Sequence, residues 1–482
     1  MIIRLVRLLL VAGIAAGLVL VAKPMTLIQT KEKSSATYQV SAKDLEVNCM
    51  GSAMVSGGKT GTSTTSFRRV SNSLVTASYA ATQQTTLSIF NRDFIQGFGV
   101  RQDITKKIQN PNSFTVIDKT GKVGQGSQLL TANQIQLVKD KRISGLLGAA
   151  CIRPQSEFWF VGGSTTVGRE ALLLIHNPST VDATVDLEIF TENGNSHSAG
   201  LSGIAVPKGK TTVLPLSSFV LRANSISLHL VSHGGSITAL IQQKAVRGIF
   251  ANGADFISPN EILETTSYFP GLLVRGAKDT AQFRVSGTKY SDVQNMLRVF
   301  VPGTADAKLT LQVLGTDDET FGTVLSITAP AGKVTDFDIK GLDNGDYFGI
   351  LDSSVPVRSS IRLVRASYVG DRYVDFAWIN AGQTFDTVRR VAIPSQGITK
   401  LSIVNPMSQP TKVTLKIGSA TVVRRIAGTS SIVVRATPGL SIGIVPTSKI
   451  AANIVVDVDG RLAVIPVLDD KNISGEVKVS VH

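Results

Sequence analysis

The chain alternates apolar and polar side chains over many short runs. Val185, Leu187 and Ile189, for example, are separated by acidic residues. This period of two predicts a half-buried β-strand, because successive side chains of a strand point to opposite faces of the sheet. The dipeptide Asn177-Pro178 just upstream is a turn signal. The pattern is therefore that of a strand entered from a tight turn.

This pattern occurs three times, in IHNPSTVDATVDLEI, VPGTADAKLTLQV and IVNPMSQPTKVTLKI, which begin at residues 175, 301 and 403. In each copy, apolar residues follow the proline after seven, nine and eleven positions. Turns at Gly209, Gly332 and Gly428 come next, and further alternating runs follow in the same order. A repeated module explains these matches, although β-rich sequences also resemble one another by chance.

The short alternating runs, the Gly, Pro, Asn and Ser punctuation and the near absence of helical periodicity predict an all-β fold. We expect tandem immunoglobulin-like antiparallel β-sandwich modules of roughly 100 residues each, after an N-terminal transmembrane or signal-anchor helix. The predicted boundaries are a signal anchor at 1–25, a linker at 26–41, and four modules at 42–155, 156–262, 263–382 and 383–482.

The N-terminus predicts export. Arg4 and Arg7 precede an uncharged apolar run from Leu8 to Ala22, which is 15 residues long. The end of that run, LVLVAKP, offers no small-x-small cleavage site, so we expect an uncleaved anchor; a cleaved signal and a secreted protein are the alternative. Positive charge before the run predicts a single-pass membrane protein with its C-terminal bulk outside the cytoplasm.

Cys49 and Cys151 are the two cysteines of the chain, and they bracket the predicted first module. In an exported protein, this placement predicts a disulfide between them. The competing interpretation is a catalytic thiol, which would need a histidine nearby in space. No spacing of cysteines typical of a metal site occurs.

Composition agrees with a compact basic protein, with 43% hydrophobic and 17% charged residues and a net charge of +14. The basic residues are scattered and aromatic residues make up 6% of the chain, whereas a nucleic-acid groove would concentrate them. We therefore expect no nucleic-acid partner. The predicted partners are cell-envelope proteins, anionic wall polymers or glycans, and the membrane through the N-terminal helix. A basic charge can also serve solubility alone.

No motif specifies a reaction. The stretch SGGKTGTS around Lys59 resembles a phosphate loop, but Ala53 stands where that motif needs glycine. Its Lys-Thr-Gly is in the wrong order for a penicillin-binding enzyme, and no zinc-protease or nucleophile-elbow motif occurs. Asp457, Asp459 and Gly460 match a hairpin turn, with calcium binding left open. We expect no catalytic residue, cofactor or metal site.

Three aromatic residues stand near the predicted module boundaries. They are Trp159 in SEFWFVGG, Phe256 in NGADFISPN and Trp378 in VDFAWINAG. Their recurrence at the boundaries favours packing between modules, and exposed rings could instead stack on sugars.

The spaced motifs EFWFVGGSTTVGREALLLIHNPSTVDATVDLEIF, DFAWINAG and LSIVNPMSQPTKVTL, with the basic N-terminus and the framing cysteines, resemble an actinobacterial family of exported proteins, the domain of unknown function 5719 family. The resemblance covers essentially the whole chain after Val40. It implies a place in the cell envelope and an unassigned role, and it carries no functional residues to this chain.

The sequence thus predicts a membrane-anchored, extracytoplasmic, non-enzymatic scaffold or adhesion protein that binds envelope proteins or polymers through sandwich surfaces. A glycan-binding accessory protein for wall polysaccharide is the alternative. A third hypothesis is an envelope enzyme whose site lies between modules.

Overall fold

A computed structural model describes residues 35–40, 45–57, 66–80, 85–91, 94–100, 104–110, 114–119, 129–317, 320, 322–468 and 475–480. The predicted anchor and residues 58–63 of the glycine-rich stretch around Lys59 lie outside these residues. Of the predicted linker, residues 35–40 are described. Among the described residues, no helix has the length and apolar character needed to cross a membrane.

The chain divides into two compact units, one of residues 1–43 with 473–482 and one of residues 44–472. Strand β1 (Ser35–Val40) belongs to the first unit, where it pairs antiparallel with strand β37 (Gly475–Ser480). The second unit contains the remaining strands and is described below.

The second unit is nearly all β, as predicted. Its first strands are β2 (Leu45–Cys49), β3 (Met54–Ser56), β4 (Phe67–Arg69), β5 (Ser73–Ala80), β6 (Thr85–Asn91), β7 (Phe94–Val100), β8 (Ile104–Asn110), β9 (Phe114–Lys119), β10 (Leu129–Lys139) and β11 (Ser144–Ala150). The next are β12 (Glu157–Val161), β13 (Arg169–His176), β14 (Ala183–Thr191), β15 (Gly194–Ser196), β16 (Ile204–Val206), β17 (Thr211–Pro215), β18 (Ile226–Gly234), β19 (Thr238–Arg247) and β20 (Phe250–Ile257).

The second half continues with β21 (Glu264–Val274), helix α1 (Ala277–Val285), β22 (Met296–Phe300), β23 (Ala307–Gly315), β24 (Thr323–Ala329), β25 (Val334–Asp338), β26 (Gly345–Ser367) and β27 (Tyr373–Asn380). The last strands are β28 (Thr384–Phe385), β29 (Arg389–Ala392), β30 (Ile398–Asn405), β31 (Thr411–Ile417), β32 (Ala420–Ile426), β33 (Ser430–Ala436), β34 (Ser441–Pro446), β35 (Ile450–Val458) and β36 (Arg461–Pro466). Short 3-10 helices lie at Leu216–Ser218 and Thr288–Tyr290.

The strands form antiparallel sheets whose order repeats along the chain. Four sheets have the orders β2-β9-β6-β7, β12-β18-β14-β15, β21-β26-β23-β24 and β29-β34-β31-β32. Four others have the orders β8-β5-β10-β11, β17-β13-β19-β20, β25-β22-β26-β27 and β33-β30-β35-β36. We call the strands β2–β11, β12–β20, β21–β27 and β28–β36 segments 1 to 4. Strand β26, with 23 residues, serves both sheets of segment 3.

The predicted period of two is confirmed in β14, β23 and β31, the strands of the three repeated stretches. Val185, Leu187 and Ile189 of β14 are buried, and the side chains between them are more exposed. They pack on apolar residues of the other sheet of segment 2, such as Leu173 and Ile241. Segment 2 is therefore a two-layered β-sandwich with its core between the sheets.

The turn that opens the repeated pattern has the same hydrogen bonds in two copies. The side-chain oxygen of Asn177 accepts from the amide of Ser179, and its amide donates to the carbonyls of Val181 and Val206. Asn405 accepts from the amide of Met407 and donates to the carbonyls of Gln409 and Ala427. Both asparagines are fully buried. Shared chemistry at shared positions supports repetition rather than chance similarity.

The last strands of the four segments, β11, β20, β27 and β36, meet in the centre of the second unit. Each is an edge strand of its sheet. Strand β11 packs against β20 and β36, and β27 packs against the same two strands, so the four segments close into a ring. We call these the central strands. Their mutual packing covers sheet edges that would otherwise be exposed to other chains.

Small residues allow this close approach. A Cβ atom on Gly145 of β11 would lie 2.4 Å from the backbone nitrogen of Ala254 in β20. Gly253 has φ 101°, and a Cβ there would lie 2.7 Å from the ring of Phe376 in β27. A larger residue at either position would push neighbouring strands apart.

The predicted disulfide between Cys49 and Cys151 is confirmed. It joins residues separated by 102 positions, with a Cα–Cα distance of 4.4 Å. Both cysteines are buried, and the backbone amides of Asn48 and Ile152 bond to each other's carbonyl groups beside them. The bond therefore ties the start of segment 1 to its end.

Replacing both Cys49 and Cys151 by alanine is expected to lower the free energy of unfolding by about 2–4 kcal/mol, because the loop closed by the disulfide regains chain entropy when the protein unfolds. Urea unfolding followed by circular dichroism measures the change. Reducing the disulfide of the unmodified protein is the control and should give the same loss. A loss below about 0.5 kcal/mol by both routes would contradict an energetic role for the disulfide.

Candidate functional site

The three aromatic residues singled out by the sequence lie in different environments. Trp159 is part of β12 and is half-buried, whereas Phe256 of β20 and Trp378 of β27 are 2% and 5% exposed. The alignment of Asp255-Phe256 with Asp375-Phe376 makes Phe256 the counterpart of Phe376 rather than of Trp378. The structure thus does not bring the three rings into one site.

Trp159 is covered by charged and aromatic neighbours. His229 stacks on its ring with a centroid distance of 4.0 Å, and the Arg358 guanidinium lies 4.4 Å from the ring centroid. Both ring nitrogens of His229 lie within hydrogen-bonding distance of carboxylates, at 2.9 Å from Glu157 and 2.8 Å from Glu188. The hydrogen bond with His229 lowers the pKa of Glu157. This arrangement fixes the tryptophan between segments 2 and 3.

Trp378 also packs against arginine. The Arg298 guanidinium carbon lies 4.8 Å from its ring centroid, and that of Arg362 lies 5.8 Å away. With 5% exposure, this ring offers no surface on which a sugar could stack. The two arginines instead lead to an open cleft.

The cleft lies between segments 2 and 3 and has a volume of about 870 Å³. Six parts of the chain converge on it: the loop before β13, the loop before β18, the turn between β19 and β20, residues 288–298, and strands β25 and β26. Its charged lining consists of six cations and three carboxylates, namely Arg169, Arg222, Arg247, Lys289, Arg298, Arg362, Asp292, Asp336 and Asp338. We call it the arginine cleft.

Asp292 is the first anchor of the arginine cleft. Arg247, at the end of β19, reaches it with both terminal nitrogens, and Arg169, at the start of the neighbouring strand β13, reaches it as well. Arg362 donates to the backbone carbonyl of Asp292 at 2.7 Å. Burial alone would raise the pKa of Asp292, but the hydrogen bonds from Arg247 and the charges of Arg362 and Arg169 hold it below its ordinary value. Its carboxylate is ionised at neutral pH.

Asp336 is the second anchor. It lies opposite Arg298 on paired strands β25 and β22, and the two side chains form a bidentate pair at 2.7 and 2.8 Å. Arg298 also donates to the carbonyls of Gly163 and Asn224, which belong to segment 2. The side chain of Arg298 is 2% exposed, so this contact joins the two segments in the floor of the cleft.

Positive charge in the cleft exceeds negative charge. Arg169 and Arg247 pair with the carboxylate of Asp292, and Arg298 pairs with that of Asp336. Arg362 donates to the backbone carbonyl of Asp292 and adds a fourth positive charge. The third carboxylate, Asp338, pairs with Arg284. Burial lowers the pKa of Arg362 to about 10, and burial also lowers that of Arg169. Exposed Arg222 and Lys289 add charge at the rim.

A different pair of carboxyl groups lies among the central strands. Asp375 accepts hydrogen bonds from the amides of Leu146 and Ala254, and Asp255 accepts one from the amide of Trp378. Burial raises the pKa of Asp375 to about 7 and raises that of Asp255 well above its ordinary value. Both side chains are at most 1% exposed. They satisfy backbone groups of edge strands and are not open to a substrate.

In the described part of the chain, no three His, Cys, Asp or Glu side chains lie close enough together to hold a metal ion. Asp457 instead pairs with Arg365 at 3.2 Å, and Asp459 pairs with Lys139 at 2.9 Å. The predicted hairpin is confirmed, since Asp459 and Gly460, with φ 50° and 72°, join β35 to β36.

The model of a family of unknown function, DUF5719, matches residues 110–444, which include every residue of the arginine cleft. The chain belongs to this family. No curated protein is significantly similar in sequence to this DUF5719 member.

Two solved structures show a weak likeness. A Ca²⁺-stabilised adhesin with which an Antarctic bacterium binds ice is 8% identical, with a TM-score of 0.10, over 81% of this chain and 92% of the adhesin chain. A tetra-tandem repeat from the extending region of a large adhesion protein is 12% identical, with a TM-score of 0.09, over 84% of this chain and 92% of that one. These TM-scores are too low to indicate a shared fold.

Reasoning from the sequence missed the arginine cleft. Its cations stand singly in different strands and loops, so no run of basic residues marks them. One signal was available. Arg169 begins β13 and Arg247 ends β19, and these two strands pair with each other. Single arginines at the ends of paired strands lie close together, and this could have indicated a shared site.

Proposed function

We propose that this DUF5719 protein is a non-enzymatic, extracytoplasmic scaffold of the cell envelope, anchored to the membrane by its N-terminal segment, that holds an anionic envelope polymer or glycan in the arginine cleft. Its body would consist of four tandem immunoglobulin-like sandwich modules. The repeated strand order of the four segments supports that description of the body.

The observation that carries the proposal is the charge imbalance of the cleft. Arg169, Arg247 and Arg298, whose side chains are at most 13% exposed, pair with only two carboxylates, and Arg362 donates to a backbone carbonyl. A buried or half-buried cation without a full counter-charge is costly, and an anionic ligand would supply the missing charge. Arginine suits this role, because its planar guanidinium binds phosphate and carboxylate with two hydrogen bonds.

The state of the cleft carboxylates supports binding rather than turnover. Asp292 and Asp336 are each held by arginine, and the pKa of Asp292 lies below its ordinary value. A general acid must carry a proton at the working pH, so Asp292 does not suit that role. The central carboxyl groups of Asp255 and Asp375 have raised pKa values but are buried away from the cleft.

Replacing Arg222 and Lys289 together with glutamine is expected to weaken the binding of dextran sulfate, used as a soluble anionic polymer, by about tenfold or more, because two charge-assisted contacts are lost. Titration calorimetry at moderate salt measures this, with uncharged dextran as the ligand control.

The matched control is Arg424→Gln with Arg425→Gln. These exposed residues of β32 carry the same charge but lie in segment 4. If both double variants lose the same affinity, the overall charge of +14 attracts the polymer and the cleft has no special role.

A further inference from the structure

The arginine cleft has an apolar rim. The six most exposed large apolar side chains, among residues whose burial the structure describes, are 67–89% exposed: Val167, Leu221, Ile249, Phe250, Val285 and Val369. The next most exposed large apolar side chain, Val324, is 62% exposed. A single exposed apolar residue has little meaning, but a concentration of the most exposed ones on one face does.

Four of these side chains lie in or next to loops that line the cleft. Val167 lines it, Leu221 directly precedes the lining residue Arg222, and Ile249 and Phe250 directly follow the lining residue Gly248. Ile249 lies in the two-residue turn between β19 and β20, in which Gly248 has φ 65°. Ile249 is 84% exposed in this turn, and Phe250, which begins β20, is 67% exposed.

The remaining two apolar residues, Val285 and Val369, lie near an aromatic cluster that adjoins the cleft residue Lys289. Val285 ends helix α1, two residues after Phe283. Phe283 packs on Tyr290, beside Lys289 of the cleft, with a centroid distance of 5.0 Å. It also packs on Tyr368, which precedes Val369, at 4.8 Å.

The loop before β13, the loop before β18 and the turn between β19 and β20 each combine an exposed apolar side chain with an arginine. The combinations are Val167 with Arg169, Leu221 with Arg222, and Ile249 with Arg247. A surface for a soluble polyanion needs the cations but gains nothing from fully exposed aliphatic side chains beside them. A bilayer with anionic lipids offers partners to both, with phosphate groups for the cations and the acyl boundary for the apolar tips.

We infer that this face docks onto the surface of an anionic phospholipid bilayer. The apolar rim enters the boundary between headgroups and acyl chains, and the cations of the arginine cleft bind lipid phosphates. The inference rests on one part of the proposed function, namely that the cleft binds anions. It adds that the anionic partner is the surface of a membrane.

The test places an environment-sensitive fluorophore on the rim. Both native cysteines form the disulfide, so Ile249→Cys gives a single labelling site in the full chain. The matched control is Val423→Cys on β32, which is 55% exposed in segment 4. Both proteins are mixed with vesicles of phosphatidylcholine alone or with phosphatidylglycerol, and quenching by lipids that carry a nitroxide in the acyl chain reports depth. Comparing two positions in one chain separates docking of this face from attachment by the N-terminal segment.

The expected result is a shift of the Ile249→Cys label to shorter wavelength and quenching by lipid nitroxides in phosphatidylglycerol vesicles, without either change at Val423→Cys. Adding Arg222→Gln and Lys289→Gln should weaken the quenching, and a separate Ile249→Ser, Phe250→Ser variant should reduce vesicle affinity on the order of tenfold.

Equal solvent exposure of the two labels would overturn the inference, as would equal burial in vesicles without anionic lipid. Neither result bears on the dextran sulfate experiment, because that measurement is made without lipid. A protein that binds dextran sulfate through the cleft but keeps its Ile249 label in water would retain the proposed function and lose membrane docking.

Discussion

Arg298→Met is expected to lower the free energy of unfolding by about 3–5 kcal/mol, because it removes a buried guanidinium whose hydrogen bonds to Asp336, Gly163 and Asn224 join segments 2 and 3. Arg298 is the largest fully buried side chain of the described residues. The substitution leaves the carboxylate of Asp336 and the carbonyls of Gly163 and Asn224 without their donor. Other polar contacts between segments 2 and 3, such as those of Asp292 with Arg169 and Arg247, stay in place.

Denaturant unfolding followed by circular dichroism measures this loss. The matched control is Arg284→Met, which breaks an arginine–aspartate pair whose side chains are 39% and 33% exposed. Such a surface pair contributes at most about 1 kcal/mol. Equal losses in the two variants would mean that the buried contact contributes no more than a surface ion pair does.

The stability of the folded protein is expected to fall by roughly 4 kcal/mol between about pH 4 and pH 7 through Asp375 alone. Burial raises the pKa of Asp375 from 3.8 to about 7. Over this range the folded state keeps a proton that the unfolded state has released, so the free energy of unfolding decreases as the pH rises. The contribution of Asp375 is complete below pH 4, where both states carry the proton.

Measuring the free energy of unfolding at several pH values, for the natural protein and for Asp375→Asn, isolates this effect. The variant should show a shallower decrease between pH 4 and pH 7, although it gives up one of two backbone hydrogen bonds to Leu146 and Ala254. Asp371→Asn, at an exposed position in the turn before β27, is the control and should leave the slope unchanged. Identical slopes for the natural protein and Asp375→Asn would show that Asp375 titrates normally.

The local features of the fold could be predicted from the sequence. The apolar residues at every second position, Val185, Leu187 and Ile189, predicted a half-buried strand, because alternate side chains of a strand face the same side of the sheet. The cysteines predicted the disulfide, and Asp459-Gly460 predicted the hairpin between β35 and β36. The strand and the hairpin depend on residues that are neighbours in the sequence. The disulfide could be predicted because each cysteine has one possible partner in the chain.

Alternation of apolar and polar residues does not predict burial correctly in the central strands. In VDFAWIN, the polar Asp375 stands between apolar neighbours, a pattern typical of a side chain that faces water. The structure buries it, because the edge strands β11 and β20 present backbone amides that need an acceptor. Nothing near Asp375 in the sequence reveals those amides, which belong to Leu146 and Ala254.

By itself, the sequence determined the all-β character, the repeated strand pattern and the disulfide, because these follow from local periodicity and residue chemistry. The tertiary structure alone decided that the first and fourth segments meet, with Lys139 bound to Asp459 across 320 residues, and that single arginines from separate loops form one cleft. Contacts over such distances depend on how sheet edges and charges find partners in space, and a pattern read along the chain carries no information about that choice.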